Sequence, residues 1–312
     1  MKKLVVFTDG FDSSLFNKLK LDSPFQLLDT PKIEKEELEK ILPQVHCLVV
    51  RSKTIVNQDL LNKAPNLELV IRAGEGMDNI DLLACEKRKI TALNTPGANG
   101  ESAAELAISL IFATLRGVTK ADSWIQQGIW EKNKLTGYEL SKKKLGIIGF
   151  GRIGQMVSKK LSGFDLEQYF FDPTVSAENV KDNKFIKKID QLENIFSLCN
   201  IITIHTPLVP ETKNLITYDL IKKMPKPSFL INAARGGIIN KDDLLKSLEE
   251  KLLTGVGLDV FETEPIEGNS PFKNRDNVVL TPHIGASTHE AQYRIGLMVI
   301  DILQEKLTHK GV

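Results

Sequence analysis

Three glycines near the middle of the 312-residue chain have the spacing of a phosphate-binding turn. An apolar run leads into Gly149, Gly151 and Gly154, and a helix-like pattern continues through residues 155–161. In a GxGxxG turn the first glycine permits a tight bend, the second lets the backbone approach a pyrophosphate, and the third allows helix and strand to pack closely. The helix N–H groups then face the anion. Such a short pattern is weakly specific alone, but strand, turn and helix signals occur here in the required order.

An acidic residue follows these glycines at the expected distance. Residues 168–171 have the pattern of a strand, and Asp172 stands at its end, about 20 residues beyond the turn. A carboxylate at that place accepts hydrogen bonds from the adenosine-ribose hydroxyls and repels a 2′-phosphate. We therefore predict that NAD binds here. The alternative, a glycine turn without a ligand, accounts less well for Asp172.

Three side chains in the second half suit acid–base chemistry on an anionic substrate. His283 lies between a strand signal and a glycine-containing turn, Arg235 follows a strand signal and precedes two glycines, and Glu264 lies in an acidic turn. Taken singly, each has an ordinary alternative, namely a structural histidine, a surface arginine and a solvated acid. His283 and His289 lack a further ligand with recognisable spacing, so we expect no metal.

The elements that must position these residues alternate short apolar runs with helical segments. This βαβ rhythm predicts parallel sheets, whose strand ends collect ligand-binding residues. The predicted strands are residues 4–7, 47–50, 69–71, 90–93, 168–171, 201–204, 229–232, 256–258 and 278–280.

Two helical segments bear on the domain organisation. Ser102 and Glu105 have the spacing of a capping box before the apolar run 103–115, which we expect to be buried between two domains or at a subunit interface. A closing helix, residues 289–306, lies outside the strand rhythm and is expected to pack on the first domain. The predicted fold class is therefore α/β, with two doubly wound parallel-sheet domains, a Rossmann-type NAD domain inserted in a flavodoxin-like substrate domain. The predicted domains are residues 1–98 with 286–312, which bind substrate, and residues 99–285, which bind NAD.

Composition restricts the partners and the compartment. The chain has 41 Lys and Arg against 40 Asp and Glu, a formal net charge of +1, so no global field favours nucleic acid or a membrane surface. Three separate cysteines lack the spacing of a disulfide framework or a zinc site. The apolar run at residues 4–7 is too short for a signal peptide or a membrane span. These features favour a cytoplasmic protein.

Nearly the whole chain resembles the NAD-dependent D-2-hydroxyacid dehydrogenases, and within them it is most similar to the phosphoglycerate dehydrogenases. Besides the glycine turn and Asp172, the general resemblance rests on His205-Thr-Pro, Asn232-Ala-Ala-Arg235-Gly-Gly, Leu258-Asp259-Val-Phe-Glu-Thr-Glu264-Pro and Thr281-Pro-His283-Ile-Gly-Ala-Ser-Thr. The closer similarity rests on Val50-Arg51-Ser52, Arg72-Ala-Gly, Gly76-Met-Asp-Asn79-Ile-Asp and Asn94-Thr-Pro.

The resemblance implies a role for each candidate residue. His283 is expected to be the base that takes the hydroxyl proton, Glu264 to hold its ring, and Arg235 to clamp the substrate carboxylate with its planar, permanently charged fork. The further residues expected to contact NAD are Arg152, Ile153, Thr206, Ala233, Asp259 and Gly285. Those expected to bind the substrate's phosphate and carboxylate are Arg51, Ser52, Arg72 and Asn99, with Lys132 reaching the neighbouring subunit's site.

The resemblance implies oxidation of 3-phospho-D-glycerate with NAD, the entry to serine synthesis, by a homodimer. Glu75 is a departure, because relatives carry a small or apolar residue there, and Lys132 replaces an arginine. The chain stops at Val312 soon after the closing helix, so we expect a form without a C-terminal regulatory domain. Two alternatives stay open. One is another D-2-hydroxyacid dehydrogenase, acting on glyoxylate, hydroxypyruvate or D-lactate, and the other is an NAD-sensing protein like the corepressors that share this fold.

Overall fold

The computed structural model describes residues 2–21, 23–176, 178 and 186–308. The chain divides into two compact units, each built on its own parallel sheet. Unit 1 comprises Met1–Asn99 and Ala286–Val312, and unit 2 comprises Gly100–Gly285.

The strands and helices alternate along the chain as the sequence rhythm predicts. The strands are β1 (Leu4–Phe7), β2 (Gln26–Asp29), β3 (Val45–Val50), β4 (Leu69–Arg72), β5 (Thr91–Asn94), β6 (Lys144–Ile148), β7 (Glu167–Phe171), β8 (Ile186–Lys188), β9 (Ile201–Ile204), β10 (Phe229–Asn232), β11 (Gly255–Leu258) and β12 (Val278–Leu280). The α-helices are α1 (Ser13–Leu21), α2 (Lys35–Ile41), α3 (Gln58–Lys63), α4 (Leu82–Lys87), α5 (Gly100–Arg116), α6 (Val118–Gln126), α7 (Arg152–Leu161), α8 (Leu192–Leu198), α9 (Tyr218–Ile221), α10 (Lys241–Glu249) and α11 (His289–Thr308).

Unit 1 contains a five-stranded parallel sheet in the order β2-β1-β3-β4-β5, which is the flavodoxin-like order. Strands β1 and β3 are almost entirely buried apolar runs, as central parallel strands covered on both faces must be. The closing helix α11 packs with α1 on one face through Val299 and Leu303. Leu38 of α2 and Leu61 of α3 belong to a separate core cluster. The sequence pattern did not predict α1 or β2. Strand β2 gave no apolar run, because it is a short edge strand whose residues alternate between exposed and half-buried.

Unit 2 contains a seven-stranded parallel sheet in the order β12-β11-β10-β9-β6-β7-β8. Counted from β6, this is the Rossmann order extended by one edge strand. The strand order reverses between β6 and β9, and the loops after these two strands begin at Gly149 and His205. The predicted fold class, a Rossmann-type domain inserted in the sequence of a flavodoxin-like domain, is confirmed.

Helix α5 is buried against the sheet of its own unit. It packs on β10, β11 and α7, and two glycines of β11 permit the close approach. A Cβ on Gly255 would come within 2.4 Å of Thr114 Cγ2, and one on Gly257 would come within 3.2 Å of Leu110 Cβ. Helix α5 is therefore buried as expected, but the residues that bury it belong to the core of its own unit.

The predicted capping box at the start of this helix is wrong. Helix α5 begins at Gly100, so Ser102 lies inside it, with a buried hydroxyl that has no hydrogen-bond partner. Glu105 instead accepts a hydrogen bond from Lys160 of α7 at 2.9 Å. The Ser102 and Glu105 pattern therefore does not mark the start of α5, and Glu105 contributes to the packing of α5 against α7.

The described residues contain no single helix that is long and apolar enough to cross a membrane; α5 and α6, bent by 66° at their junction, meet the length and composition test only as a pair. All three cysteines, Cys47, Cys85 and Cys199, are free and buried. Burial raises the pKa of the Cys199 thiol to about 12, so these thiols are packed in the core in their neutral form.

Candidate active site

The glycine turn lies where the sheet of unit 2 reverses its strand order. Gly149 has φ +88°, and a Cβ there would come within 2.7 Å of the carbonyl of His205. A Cβ on Gly154 would come within 2.3 Å of the Gly149 carbonyl oxygen. These two glycines are therefore required by the turn and by the packing of α7.

Gly151 has a different reason to be glycine. Its φ is −71°, and a Cβ there would meet no protein atom within 4 Å. The protein fold therefore does not require glycine at this place, whereas a pyrophosphate approaching the N-terminus of the ten-residue helix α7 does. The turn thus fits the dinucleotide that the sequence predicts.

Asp172 follows β7 and is largely buried. One carboxylate oxygen accepts the Phe150 N–H of the glycine turn at 2.8 Å, and the other accepts from the backbone N–H and hydroxyl of Thr174. Burial raises the pKa of Asp172, but the hydrogen bonds from Thr174, Phe150 and Val175 outweigh it and hold the pKa below its usual value. The residue is therefore a carboxylate at neutral pH, and it ties the end of β7 to the glycine turn.

The other residues expected to contact NAD also belong to unit 2. Arg152 and Ile153 begin α7, Thr206 follows β9, and Ala233 follows β10. Asp259 follows β11 and is fully buried. Its oxygens accept from Thr281 Oγ1 at 2.7 Å, from Ile284 N at 2.8 Å and from Gly285 N at 3.0 Å. Asp259 therefore holds the loop that carries His283, and its contact with NAD stays a prediction.

His283 and Glu264 lie side by side in unit 2. Nδ1 of His283 is 2.5 Å from Oε2 of Glu264, and the other oxygen of Glu264 accepts the Phe261 N–H at 2.9 Å. His283 has φ +53°, and its backbone N–H donates to the Asp259 carbonyl at 2.8 Å. Because Nδ1 is engaged, Nε2 is the ring nitrogen left to exchange a proton with a substrate.

Glu264 is also electrostatically linked to Arg235. Burial raises the pKa of Glu264, but its hydrogen bonds with His283 and Phe261, and the nearby charges of His283 and Arg235, lower it below the usual value. The Arg235 segment is fixed by Asn232, whose Nδ2 donates to the Arg235 carbonyl at 2.9 Å. Unit 2 thus combines an ionised carboxylate, an imidazole and a guanidinium, the groups needed to move a proton and bind a carboxylate.

His205 has a different environment from His283. Its Nε2 lies 2.9 Å from the hydroxyl of buried Thr203, and burial lowers the pKa of His205 to about 4. The ring is therefore neutral at physiological pH and serves the packing below the turn.

In unit 1, three side chains position Arg51. Asp9 accepts the Arg51 N–H at 2.6 Å, and Asn79 donates to the Arg51 carbonyl at 2.6 Å. The guanidinium Nη2 donates to Oε1 of Gln292 on α11. Nε of Arg51 is buried without a hydrogen-bond partner, and burial lowers the pKa of Arg51, although the Asp9 charge opposes this.

The remaining substrate candidates have varied surroundings. The Arg72 guanidinium lies over Gly74, where a Cβ would come within 1.6 Å of Nη1. Asn99 has a buried side-chain oxygen without a partner. Ser52 in unit 1 and Lys132 in unit 2 are both exposed.

Glu75, the departure from the family pattern, contacts the loop after β5. Its Oε2 accepts the Gly97 N–H at 2.5 Å, and its carbonyl accepts from Asn94 Nδ2 at 2.6 Å. The carboxylate of Glu75 therefore binds a backbone N–H group of unit 1.

Sequence reasoning missed Asp9, Gln292 and the loop-holding role of Asp259. Asp9 does stand just after a strand, which is a positional signal. Gln292 had no such signal, because it is an ordinary helix residue 241 positions from its partner.

Comparisons with known proteins show the family to which the chain belongs. The family model described as "D-isomer specific 2-hydroxyacid dehydrogenase, NAD binding domain" matches residues 108–285. Hydroxypyruvate reductase from Thermotoga maritima is 39% identical over 295 residues, which cover 94% of this chain and 93% of that protein. Human D-3-phosphoglycerate dehydrogenase is 38% identical over 292 residues, which cover 94% of this chain and 54% of that protein. The chain therefore spans about half the length of that relative.

A solved structure of an NAD-dependent dehydrogenase has the same fold. NAD-dependent formate dehydrogenase from Staphylococcus aureus, in complex with NAD, matches with a TM-score of 0.87 at 30% identity, covering 100% of this chain and 97% of that one. The predicted cofactor, NAD, is confirmed by the family match and this neighbour. With a family match over more than half of its length, this chain is an NAD-binding enzyme of the D-isomer specific 2-hydroxyacid dehydrogenase family.

Proposed function

We propose that the chain oxidises 3-phospho-D-glycerate to 3-phosphohydroxypyruvate with NAD, the entry step to serine synthesis. The proposal deepens the family assignment by naming the substrate. The observation that carries the chemistry is the 2.5 Å contact between His283 Nδ1 and Glu264 Oε2. It leaves Nε2 to take the proton of the C2 hydroxyl.

The reaction needs a base, a carboxylate clamp and a hydride acceptor. The C2 hydroxyl proton passes to Nε2 of His283, and the C2–H bond breaks with its electron pair as the C2–O bond becomes a carbonyl. Bound NAD supplies the hydride acceptor. Glu264 stabilises the imidazolium that forms, and Arg235 binds the substrate carboxylate and polarises the C2 oxygen. The residues that would hold NAD include Gly151, at its pyrophosphate, and Asp172, at its adenosine ribose.

Arg51 supports a phosphorylated substrate. Its guanidinium is half-buried, its Nε has no hydrogen-bond partner, and its bonded neighbour Gln292 is neutral. Asp9 bonds only the backbone N–H of Arg51, and a partly buried guanidinium without a hydrogen-bonded carboxylate is costly unless an anion completes its environment. A phosphate oxygen is a suitable acceptor for it.

Replacing Arg51 tests this substrate assignment. We expect Arg51→Ala to lower kcat/KM for phosphohydroxypyruvate by a factor equivalent to about 1.5–3 kcal/mol, the scale of a charge-assisted hydrogen bond. Reaction with hydroxypyruvate should change far less. Arg72→Ala tests the second candidate in the same assay. Arg88→Ala, whose guanidinium bonds Asn62 in the native chain, is the matched control. Equal losses on both substrates would contradict a phosphate site at Arg51.

Hydroxypyruvate reduction is the second candidate function. The exposed carboxylate of Glu75 favours it, because the added negative charge opposes a dianionic substrate. Glu75→Val should then raise kcat/KM for phosphohydroxypyruvate, whereas an unchanged value would leave Glu75 a loop anchor. An NAD-sensing binding protein would show no turnover with either substrate.

We also propose that the chain forms a homodimer through the α6 region of unit 2. Val118, Ile125 and Trp130 are 54%, 55% and 82% exposed there, which leaves apolar surface that an interface would cover. Light scattering at micromolar concentration should give twice the monomer mass, and Trp130→Glu should shift it toward the monomer. The three free, buried cysteines support a reducing cytoplasm as its compartment.

A further inference from the structure

Gln292, in the first turn of α11, uses both ends of its side-chain amide. Its Nε2 donates to the Ala286 carbonyl at 2.6 Å, and its Oε1 accepts from Nη2 of Arg51. A carbonyl oxygen only accepts hydrogen bonds, so the NH₂ end must face Ala286. The oxygen end is therefore directed at Arg51 by a second, independent contact.

The environment of Arg51 is short of negative charge. No carboxylate bonds its guanidinium in the part of the chain that the structure describes. Asp9 is the acid whose charge acts on it, but the Asp9 oxygens already accept from the N–H groups of Arg51 and Thr54 and from the Thr54 hydroxyl. Gln292 thus fixes the direction of the guanidinium without adding a negative charge to it, so the guanidinium has no hydrogen-bonded carboxylate among the described residues.

We propose that Gln292 is a specificity-determining residue, whose neutral amide orients Arg51 while keeping its charge available for the anionic group of the substrate. A glutamate at this place would have nearly the same shape and would form an ion pair with Arg51. The pair would compete with the substrate's phosphate for the same guanidinium. This inference rests on the proposed function, in which Arg51 binds that phosphate.

A double-mutant cycle tests the proposal. The ratio of kcat/KM for phosphohydroxypyruvate to kcat/KM for hydroxypyruvate is measured in the wild type, Arg51→Ala, Gln292→Glu and the double variant. We expect Gln292→Glu to lower the ratio about tenfold or more, the scale of one charge-assisted hydrogen bond. In the Arg51→Ala background the same change should lower it no further, because its target is gone. Gln304→Glu, an exposed position on the same helix, should leave the ratio unchanged.

A second variant separates charge from packing. Gln292→Met removes the acceptor without adding charge, so it should lower the ratio less than Gln292→Glu does. Calorimetric NAD affinity and the melting temperature show that each variant is folded. If Gln292→Glu misfolds, a ratio in Gln292→Met equal to that of the wild type overturns the orienting role.

The outcomes distinguish the inference from the function on which it rests. If Arg51→Ala itself leaves the ratio unchanged, the phosphate site of the proposed function fails. If Arg51→Ala lowers the ratio and Gln292→Glu does not, Gln292 is not the specificity determinant. An equal effect of Gln292→Glu with and without Arg51 would also overturn the proposal, because it would show that Gln292 does not act through Arg51.

Discussion

The imidazole of His283 is held from two directions. Glu264 fixes Nδ1, and Asp259 fixes the loop through three side-chain hydrogen bonds and its own carbonyl. The ring is thus oriented before a substrate arrives, as the general base that we propose would require.

Replacing His283 should separate chemistry from cofactor binding. We expect His283→Asn to reduce turnover by roughly 10²-fold or more, because the proton acceptor is lost. NAD affinity should be nearly unchanged, since the glycine turn and Asp172 are intact. Steady-state kinetics and calorimetric titration on the same preparation decide the matter. The control is His289→Asn, an exposed residue of α11. Turnover close to that of the wild type would remove His283 from the mechanism.

Glu264→Gln should change the pH dependence of alcohol oxidation. The pKa of Glu264 lies below its usual value, so the native side chain is charged throughout the neutral range. The neutral isostere removes this negative charge from beside His283 and disfavours the protonated ring. The rising limb of the pH–rate profile should therefore move to lower pH, with reduced kcat. Glu262→Gln, an exposed neighbour, is the control. An unmoved limb would make Glu264 a structural acid.

The turn between β6 and α7 shows how an element combines two requirements. Gly149 and Gly154 are needed by the fold, whereas Gly151 faces space that the protein leaves open. The sequence pattern identified all three glycines. It could not show which of them the fold requires, because that depends on which atoms of β9 and its loop approach the turn.

Two alanine substitutions distinguish the glycines. Gly154→Ala should lower stability by about 1–3 kcal/mol, because its Cβ would meet the Gly149 carbonyl oxygen at 2.3 Å. Gly151→Ala should lower stability less than Gly154→Ala, by no more than the preference of an N-cap for glycine over alanine, and weaken NAD binding by about tenfold or more. Thermal denaturation and NAD titration of both variants test this. A loss of stability in Gly151→Ala, without a loss of NAD affinity, would contradict the assignment.

Cofactor choice depends on the end of β7. We expect the wild type to bind NAD much more tightly than NADP. Asp172→Ala should reduce this difference in affinity mainly by weakening the binding of NAD. The structure gives a second reason for weaker binding, because the Asp172 carboxylate also accepts a hydrogen bond from the Phe150 N–H of the turn at 2.8 Å. Dissociation constants for both cofactors measure the effect, with exposed Asp190→Ala as the control. Equal affinities in the wild type would refute the role of Asp172.

Over the whole molecule, sequence patterns predicted the features that depend on residues close together in the chain. The βαβ rhythm predicted two parallel sheets, and strand-end positions predicted His283 and Arg235 as candidates. The contacts of Arg51 could not be predicted, because Asp9 and Gln292 lie 42 and 241 residues away and belong to common residue types. The end signal at Ser102 failed for the same reason, since the packing of α5 on α7 involves residues far apart in sequence.

We propose that the molecule is a dehydrogenase of a phosphorylated D-2-hydroxy acid. The most direct test of this proposal is the steady-state consumption of NADH by the wild type with phosphohydroxypyruvate, hydroxypyruvate, glyoxylate and pyruvate. We expect the highest kcat/KM for phosphohydroxypyruvate, at least about tenfold above hydroxypyruvate, as one charge-assisted contact provides. A higher kcat/KM for hydroxypyruvate, or no turnover with any of the four compounds, would contradict it.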